Sequence, residues 1–458
     1  MSVARRGELG GWQSRTTFVL ALSASAVGLG NIWRFSYLAG ENGGGLFVLT
    51  YLLCLFFIAV PVMIAEVIIG SHGRGSPVMA IRWVADRSLL TRGWMLLGLL
   101  ACLTGLLVLA YYVVVAGWAL AYGWYMHTGL FAAASAPLVA EQFSTLLDDV
   151  LMMVYWQSLF LLVAVLIVAT GIRRGLGGLA WLSVPCMLVL LAALIKFALD
   201  SGDMEAAREF LFSAKAIDFS WHSVLVALGQ ALFTLGVGMG VGISYGAYAP
   251  RRLPVGRSVM AVAVFDTGVS LLVGIAIFPI VFANNMEPSM GPGLMFVSLP
   301  YAFGNIMFGD LFGTLFFALV VLAALGSAVA IMEPIVGVVM QRLRVRRLTA
   351  ALSLGLALWV MALLVALSFG PGDFYPGLAN GSLFRWLDAV TAELLLPLVA
   401  LFTAVLVGWR MRPELLRREL YRELDLFFSL WRRLLRYIAP PLILLFIIVS
   451  ASDTILGN

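Results

Sequence analysis

Long runs of apolar residues, separated by short polar and basic segments, dominate the pattern along the chain. A helix needs about 20 mostly apolar residues to cross the hydrocarbon core of a bilayer. Windows of that length predict eleven membrane-spanning helices, at residues 14–37, 42–70, 94–125, 150–171, 176–197, 222–248, 256–283, 309–340, 348–369, 386–410 and 434–452. An odd number of spans places the two ends of the chain on opposite sides of the membrane.

Two of these spans carry glycine clusters near their middle. Span one contains AVGLGNIWR, with Gly28, Gly30 and Asn31, and span six contains TLGVGMGVG, from Thr234 to Gly242. Glycine destabilises a helix interior by about 1 kcal/mol relative to alanine, so both helices are predicted to break there. Small residues also allow close helix packing, which is the favoured interpretation of one such span alone. Two breaks at corresponding positions of two repeats favour a substrate site at the bilayer midplane, as in secondary transporters.

The composition supports a polytopic membrane protein. Of the 458 residues, 62% are hydrophobic and 12% are charged, against about 25% charged in soluble domains. The basic residues lie in short clusters in alternate loops, so the net charge of +5 does not indicate nucleic-acid binding. Cytoplasmic loops are enriched in Lys and Arg, which places the N-terminus in the cytoplasm and the C-terminus outside. Because Cys54, Cys102 and Cys186 fall in predicted spans, we expect buried thiols and no disulfide.

Two connecting segments are predicted to have structure of their own. Residues 287–308 are apolar but interrupted by proline and glycine, which predicts a hairpin packed on the outer face. Residues 413–431 alternate acidic, basic and apolar positions, which predicts an interfacial helix before the last span.

Several segments resemble the sodium-coupled neurotransmitter transporter family, which includes bacterial amino-acid transporters. They are SRTTFVLALSASAVGLGNIWRFSYLAGENGGGLFVLTY in residues 14–51, AYYVVVAGW in span three, QALFTLGVGMG in span six, ALGSAVAIMEP in span eight and FRWLDAVTAELLLPL in span ten. The resemblance covers essentially the whole chain. It implies an all-α, leucine-transporter-like fold in one transmembrane domain, with broken helices 1 and 6. Its two inverted five-helix repeats would be residues 14–197 and 222–410, followed by residues 413–458 with the interfacial helix and the last span.

The resemblance also implies an amino-acid substrate bound between the two breaks. The family residues that hold the carboxylate match Leu29, Gly30 and Tyr112, and those that hold the amine match Ala26, Phe233 and Thr234. Gly28 stands where monoamine carriers have an aspartate, which leaves room for the substrate's own carboxylate. The matching side-chain pocket is apolar apart from two hydroxyl groups, so it favours large apolar substrates. It consists of Val108, Tyr112, Phe233, Gly236, Met239, Ser327 and Ile331.

A first sodium site is implied by the same resemblance, with ligands Ala26, Asn31, Thr234 and Asp266. Asp266 stands where the family often has asparagine, and a carboxylate in mid-membrane is costly unless it is paired. Ligands of chloride-dependent members match Tyr51, Gln230, Thr234 and Ser270. Since Asp266 already supplies a negative charge that would repel chloride, we expect chloride not to be required.

A second implied sodium site has the ligands Ala24, Val27, Ala323 and Ser327. Gly326 stands where the family usually has Thr, Ser or Asp, so one ligand is missing. Either a water replaces it, the site binds sodium weakly, or the site is lost. One or two sodium ions are therefore expected per transport cycle.

Gate residues are implied as well. Arg34 and Asp388 match the extracellular ion pair, with Phe233 as an aromatic lid, and Glu66 matches a residue that braces both breaks. At the cytoplasmic side the usual ion pair is replaced by Leu9 and Gln341. Arg5 or Arg6 would have to substitute for it, with Trp12 and Tyr248 retained as packing residues.

The sequence thus favours a sodium-coupled importer of amino acids in a bacterial cytoplasmic membrane, as a monomer or weak homodimer. Coupling to protons or to a single sodium ion is the first alternative, because of Asp266 and Gly326. A non-transporting amino-acid receptor with the same fold is the second. An enzyme is disfavoured, because His72, His127 and His222 do not cluster and no nucleophile or metal constellation is present in the sequence.

Overall fold

A computed structural model describes residues 10–213, 216–250, 253–284, 293–370 and 381–456. Within these ranges the chain is helical, without a β-strand. The main helices, numbered in chain order, are α1 (Arg15–Ala26), α2 (Gly30–Glu41), α3 (Gly45–Gly73), α4 (Pro77–Arg87), α5 (Arg92–His127), α6 (Ala136–Asp148), α7 (Val150–Ala169), α8 (Ile172–Ser201), α9 (Met204–Phe212), α10 (Trp221–Thr234), α11 (Val241–Ala247), α12 (Val255–Ala283), α13 (Leu294–Gly304), α14 (Gly309–Leu343), α15 (Arg347–Leu367), α16 (Ser382–Arg410), α17 (Pro413–Glu419) and α18 (Asp425–Ser452).

The predicted spans all coincide with helices. In the described ranges nine helices are long and apolar enough to cross a membrane, and α1 and α2 form a further span bent by 62°. The sixth predicted span is divided between α10 and α11, which are separated by residues 235–240. Breaks therefore occur in the two spans whose glycine clusters predicted them.

The core lies among α3, α5, α12 and α14, whose apolar side chains are mostly buried, while α7, α8 and α18 lie at the periphery.

The position of Cys186 follows from this arrangement. Cys54 and Cys102 are buried as expected, but Cys186 is exposed on α8, and all three are free thiols. The expectation of a buried Cys186 is wrong because α8 turns this face, with Leu182 and Val189, toward lipid.

The arginine-bearing helix ends come together on one face of the molecule. Side-chain hydrogen bonds connect them across the face, from Arg15 to Ser258 Oγ (3.2 Å), from Arg173 to the Gly11 carbonyl (3.4 Å) and from Arg347 to the Val168 carbonyl (2.7 Å). The opposite face is closed by backbone bonds from Ala133 to Gly304 and from Asp203 to Pro279.

Both structured connections differ in detail from the predictions. Residues 294–304 of the predicted hairpin form the short helix α13, which packs on α6 through stacked Phe143 and Phe296; residues 285–292 lie outside the described ranges. The predicted interfacial helix 413–431 is divided into α17 and the first turns of α18, which continue directly into the last span. The division falls where Leu420 and Glu423 turn inward and become buried.

Candidate substrate and ion site between the broken helices

At the first break, the Asn31 side chain hydrogen-bonds to the unwound backbone. Val27 leaves helical geometry with φ −72° and ψ 109°, and Asn31 Oδ1 accepts a hydrogen bond from the Gly28 N–H at 2.9 Å. Gly28 brings the backbone close to both α5 and α14, because an added Cβ would overlap the Ser327 hydroxyl, which would have to rotate away, and would lie 3.0 Å from the Tyr112 hydroxyl. The unwound backbone is therefore in direct contact with α5 and α14.

The second break depends on left-handed glycines. Gly236, Gly238 and Gly240 have φ values of +67°, +88° and +73°, a conformation that other residues rarely adopt. Glu66 of α3 is fully buried, and its Oε1 accepts the Gly238 N–H at 2.8 Å. Among the described residues, Glu66 hydrogen-bonds to the backbone of this second break. The sequence predicted that Glu66 contacts both breaks.

A compact polar cluster connects the two breaks with α12. Asn31 Nδ2 lies within hydrogen-bond distance of three acceptors, Asp266 Oδ1 at 2.7 Å, Ser270 Oγ at 2.8 Å and Thr234 Oγ1 at 3.0 Å, and shares its two hydrogens among them. The Thr234 hydroxyl donates to Asp266 Oδ2 at 2.9 Å, and Asp266 is fully buried. All three side chains proposed for the first ion site thus meet at one point, with the Asp266 carboxyl group at its centre.

The four residues matched to chloride ligands surround this cluster. Ser270 and Thr234 belong to it, Tyr51 is fully buried beside Asp266, and Gln230 Nε2 donates to the Gly30 carbonyl at 3.2 Å. The hydroxyl groups of Tyr51, Thr234 and Ser270 thus lie close to Asp266, and the Gln230 amide contacts the first break.

A cavity lies between the breaks. With a volume of about 20 Å³ it is narrow in this conformation, close to the space that one water needs. All eleven residues predicted to bind substrate line it. Ser25 and Val241, which the sequence analysis did not select, line it as well; the full lining is Ser25, Ala26, Gly28, Leu29, Gly30, Asn31, Val108, Tyr112, Phe233, Thr234, Gly236, Met239, Val241, Ser327 and Ile331.

The cavity has a polar end and an apolar end. At the polar end the Leu29 N–H lies 3.4 Å from the Tyr112 hydroxyl oxygen, and Thr234 and Asn31 follow on the same side. At the apolar end Val108, Met239 and Ile331 are buried. Free backbone N–H groups at a helix start suit an anionic group such as a carboxylate.

The residues of the second proposed ion site are also adjacent. Ser327 Oγ donates to the Ser25 carbonyl at 3.0 Å and lies 3.4 Å from the Val27 carbonyl. At Gly326 an added Cβ would overlap the Ala24 carbonyl oxygen. Backbone of α1 and α14 is therefore packed closely at the position where a side-chain ligand is missing.

On one side of the cavity, Arg34 lies over the Phe233 ring, 5.2 Å from its centroid. Asp388 and Glu393 are carboxyl groups near enough to Arg34 to interact with its charge. Among the described residues the two predicted gate partners, Arg34 and Asp388, do not form an ion pair within 4.0 Å. Glu393, a second carboxylate facing Arg34, was not identified from the sequence.

A buried ion pair lies on the opposite side of the cavity. Glu333 of α14 is fully buried and pairs with both terminal nitrogens of Arg347, with Arg347 Nη1 donating to Oε1 at 3.0 Å. The Tyr248 hydroxyl also donates to Glu333 at 2.7 Å, and the Trp12 N–H donates to the Tyr248 carbonyl at 2.9 Å. Glu333 was missed although a lone carboxylate inside an apolar span was a signal for it.

Of the cytoplasmic residues considered from the sequence, Arg5, Arg6 and Leu9 lie outside the described ranges. Gln341 accepts the Ser76 N–H at 3.0 Å and so holds the start of α4 against the end of α14. Trp12 and Tyr248 pack edge to face, with ring centroids 6.2 Å apart.

The membrane-spanning helices, the two broken helices and the cavity between the breaks define a multi-pass membrane transporter. Within the described ranges there is no group of three or more His, Cys, Asp or Glu residues that could hold a metal ion.

Comparisons with known proteins agree with this class. A model of the sodium:neurotransmitter symporter family matches residues 9–135 and 140–455. An uncharacterized sodium-dependent transporter of Bacillus subtilis, YhdH, is 31% identical over 95% of this chain and 96% of its own length. The human sodium- and chloride-dependent GABA transporter 2 is 26% identical over 88% of this chain and 73% of its own length.

The crystal structure of MhsT in complex with L-phenylalanine has 36% sequence identity and a TM-score of 0.87, covering 96% of this chain and 99% of that chain. The chain belongs to the sodium:neurotransmitter symporter family. It is a sodium-dependent membrane transporter with a leucine-transporter-like fold and not an enzyme, as the sequence predicted.

Proposed function

We propose that the protein imports amino acids with large apolar side chains together with sodium, by alternating access. The observation that carries this proposal is the cavity whose polar end is formed by the two helix breaks and whose apolar end is formed by Val108, Met239 and Ile331. The complex of MhsT with L-phenylalanine supports the substrate class. Because the cavity is narrow, Met239 and Phe233 must move apart to admit a substrate.

In the proposed complex the substrate carboxylate meets the N–H groups of Leu29 and Gly30 and the Tyr112 hydroxyl. The amine meets the carbonyls of Ala26, Phe233 and Thr234. No side-chain carboxylate lines the cavity itself, so a substrate with a cationic side chain would lack a partner there.

Binding of a panel of labelled amino acids to the purified protein tests the substrate class. Saturable sodium-dependent binding of leucine, phenylalanine or tryptophan, without binding of lysine or of a monoamine, is expected. Preference for a charged or a decarboxylated compound would overturn the assignment.

Replacing Tyr112 with phenylalanine tests the position of the carboxylate. A hydrogen bond to a charged group contributes roughly 1.5–3 kcal/mol, so Y112F is expected to weaken substrate binding by about 10- to 150-fold. The matched control is Y155F, because Tyr155 lies on α7, is 61% exposed and does not line the cavity. Equal losses in both variants would contradict the proposed orientation.

We propose that Asn31, Thr234 and Asp266, with the Ala26 carbonyl, hold the transported sodium ion. Asp266 then supplies the charge that makes chloride unnecessary. The second site, at Ala24, Val27, Ala323 and Ser327, has no side-chain oxygen at Gly326, and close packing at Ala24 leaves no room for one. One sodium ion per amino acid is therefore the stoichiometry that we propose.

The ratio of labelled sodium to labelled amino-acid flux in proteoliposomes measures this stoichiometry. A ratio near one is expected, since hard cations need several oxygen ligands and the second site has lost one. A ratio near two would show that the second site binds sodium despite Gly326.

We also propose that Arg34, Phe233 and Asp388 close the outer side of the cavity, and that Glu333, Arg347 and Tyr248 close the inner side. The clustered arginine-bearing ends support an orientation with the N-terminus in the cytoplasm and the C-terminus outside, in a bacterial cytoplasmic membrane. The proposed repeats remain residues 14–197 and 222–410.

A further inference from the structure

A large apolar groove lies on the outside of the helix bundle, where the segment 420–427 crosses the start of α12. Its volume is about 920 Å³. Two of its lining residues, Val264 and Leu424, are 57% and 75% exposed. The lining consists of Gly256, Arg257, Met260, Ala261, Val264, Phe265, Glu423, Leu424 and Phe427.

Arg257 and Glu423 fix the polar end of this groove. The Arg257 N–H and Nε each donate to the Glu423 carboxylate at 3.2 Å, and Nη2 donates to the Arg422 carbonyl at 2.7 Å. The Glu423 side chain is 5% exposed while that of Arg257 is 62% exposed. Gly256 allows close approach, because an added Cβ would lie 2.7 Å from the Phe427 ring. These contacts fix the shape of the groove and place the exposed Arg257 guanidinium at its rim.

The basic segment beside the groove favours an anion. At the groove itself Arg257 pairs with Glu423, and Arg417 pairs with Asp425. Arg422 is exposed, and residues 410–436 as a whole contain eight arginines and four acidic residues, a net charge of +4. The first turns of α18 also expose Leu426 and Leu430. Arginine-rich amphipathic segments at the end of a membrane span bind anionic lipid headgroups.

We propose that an anionic phospholipid binds at this groove, with an acyl chain along Met260, Val264 and Phe265 and its phosphate at Arg257 and Arg422. The apolar wall of the groove matches the lipid's acyl chain, and the basic rim matches its phosphate. Phe265 precedes Asp266, so the acyl chain contacts the turn of α12 that carries the ion-site carboxylate. The site does not depend on which substrate is transported.

Thermal unfolding of the full-length protein in mild detergent, titrated with dioleoyl phosphatidylglycerol or dioleoyl phosphatidylcholine, tests this site. Phosphatidylglycerol is expected to raise the unfolding temperature at lower concentration than phosphatidylcholine does. Arg422→Gln is expected to lower the apparent affinity for phosphatidylglycerol about five-fold, the effect of one arginine near an anionic headgroup.

Val264→Trp is expected to fill the groove and remove most of the stabilisation by either lipid, without changing charge. The matched control is Arg92→Gln, because the Arg92 side chain is 68% exposed on α5 and pairs with Asp86 away from the groove. Equal effects of the two lipids, or equal losses in R422Q and R92Q, would overturn the proposal. Stabilisation by soluble glycerol phosphate at the same concentration would indicate a free-anion site and would overturn it as well.

Discussion

Replacing Asp266 with asparagine is expected to abolish sodium-dependent uptake in chloride-free medium. The carboxylate is fully buried and accepts hydrogen bonds from Asn31 and Thr234, so asparagine keeps the shape, removes the charge and replaces one acceptor oxygen with an NH₂ donor. A unit charge about 4 Å from sodium contributes on the order of 4 kcal/mol in a protein environment, which corresponds to roughly a thousand-fold loss of sodium affinity. Uptake against sodium concentration measures this loss.

The same variant is expected to recover part of its uptake when chloride is added. Tyr51, Gln230, Thr234 and Ser270 remain in place around the lost charge, and a chloride ion can then replace it. Asp200→Asn is the control, since Asp200 is exposed and pairs with Lys196 at 2.7 Å. Full uptake by D266N without chloride would show that Asp266 is not the charge that balances sodium.

Replacing Glu333 with glutamine is expected to open the inner side of the cavity. Breaking a buried ion pair by removing one partner costs about 3–5 kcal/mol, and here Arg347, whose side chain is 16% exposed, loses its carboxylate. A cysteine introduced at Ser25, in a background without the three native cysteines, reports the opening through its reaction rate with a membrane-impermeant thiol reagent. The rate from the Arg347 side should rise, and uptake should fall.

Asp86→Asn provides the comparison for this experiment. Asp86 pairs with Arg82 and Arg92 on the same face, but all three side chains are at least 31% exposed. Exposed pairs contribute about 0–1 kcal/mol, so labelling should not change. An unchanged labelling rate in a folded E333Q variant would show that the ion pair does not control access.

The spans and their two interruptions could be predicted from the sequence because both are local properties. Apolar length decides whether a helix crosses a membrane, and left-handed geometry at Gly236, Gly238 and Gly240 requires a residue without a side chain. The cavity lining was also predictable, but through the resemblance to a family and not from residue chemistry. Ser25 and Val241 were missed because they line the cavity without belonging to a polar motif.

Properties that depend on distant contacts could not be predicted. The partners of Glu333 lie 14 and 85 positions away along the chain, and Arg347 was grouped with the basic loop residues. The exposure of Cys186 depends on the peripheral position of α8 rather than on local hydrophobicity. The close contact of Gly326 with Ala24 follows from the packing of two helices. The sequence shows that glycine stands at position 326 but not how closely the two helices pack there.

Accumulation of labelled leucine and tryptophan in proteoliposomes, driven by an inward sodium gradient, distinguishes a sodium-coupled importer from the alternatives. We expect uphill accumulation that choline in place of sodium abolishes and that gluconate in place of chloride leaves unchanged. Saturable binding without accumulation would contradict transport and favour an amino-acid receptor. Accumulation under a pH gradient alone would contradict the assignment of the ion site to sodium.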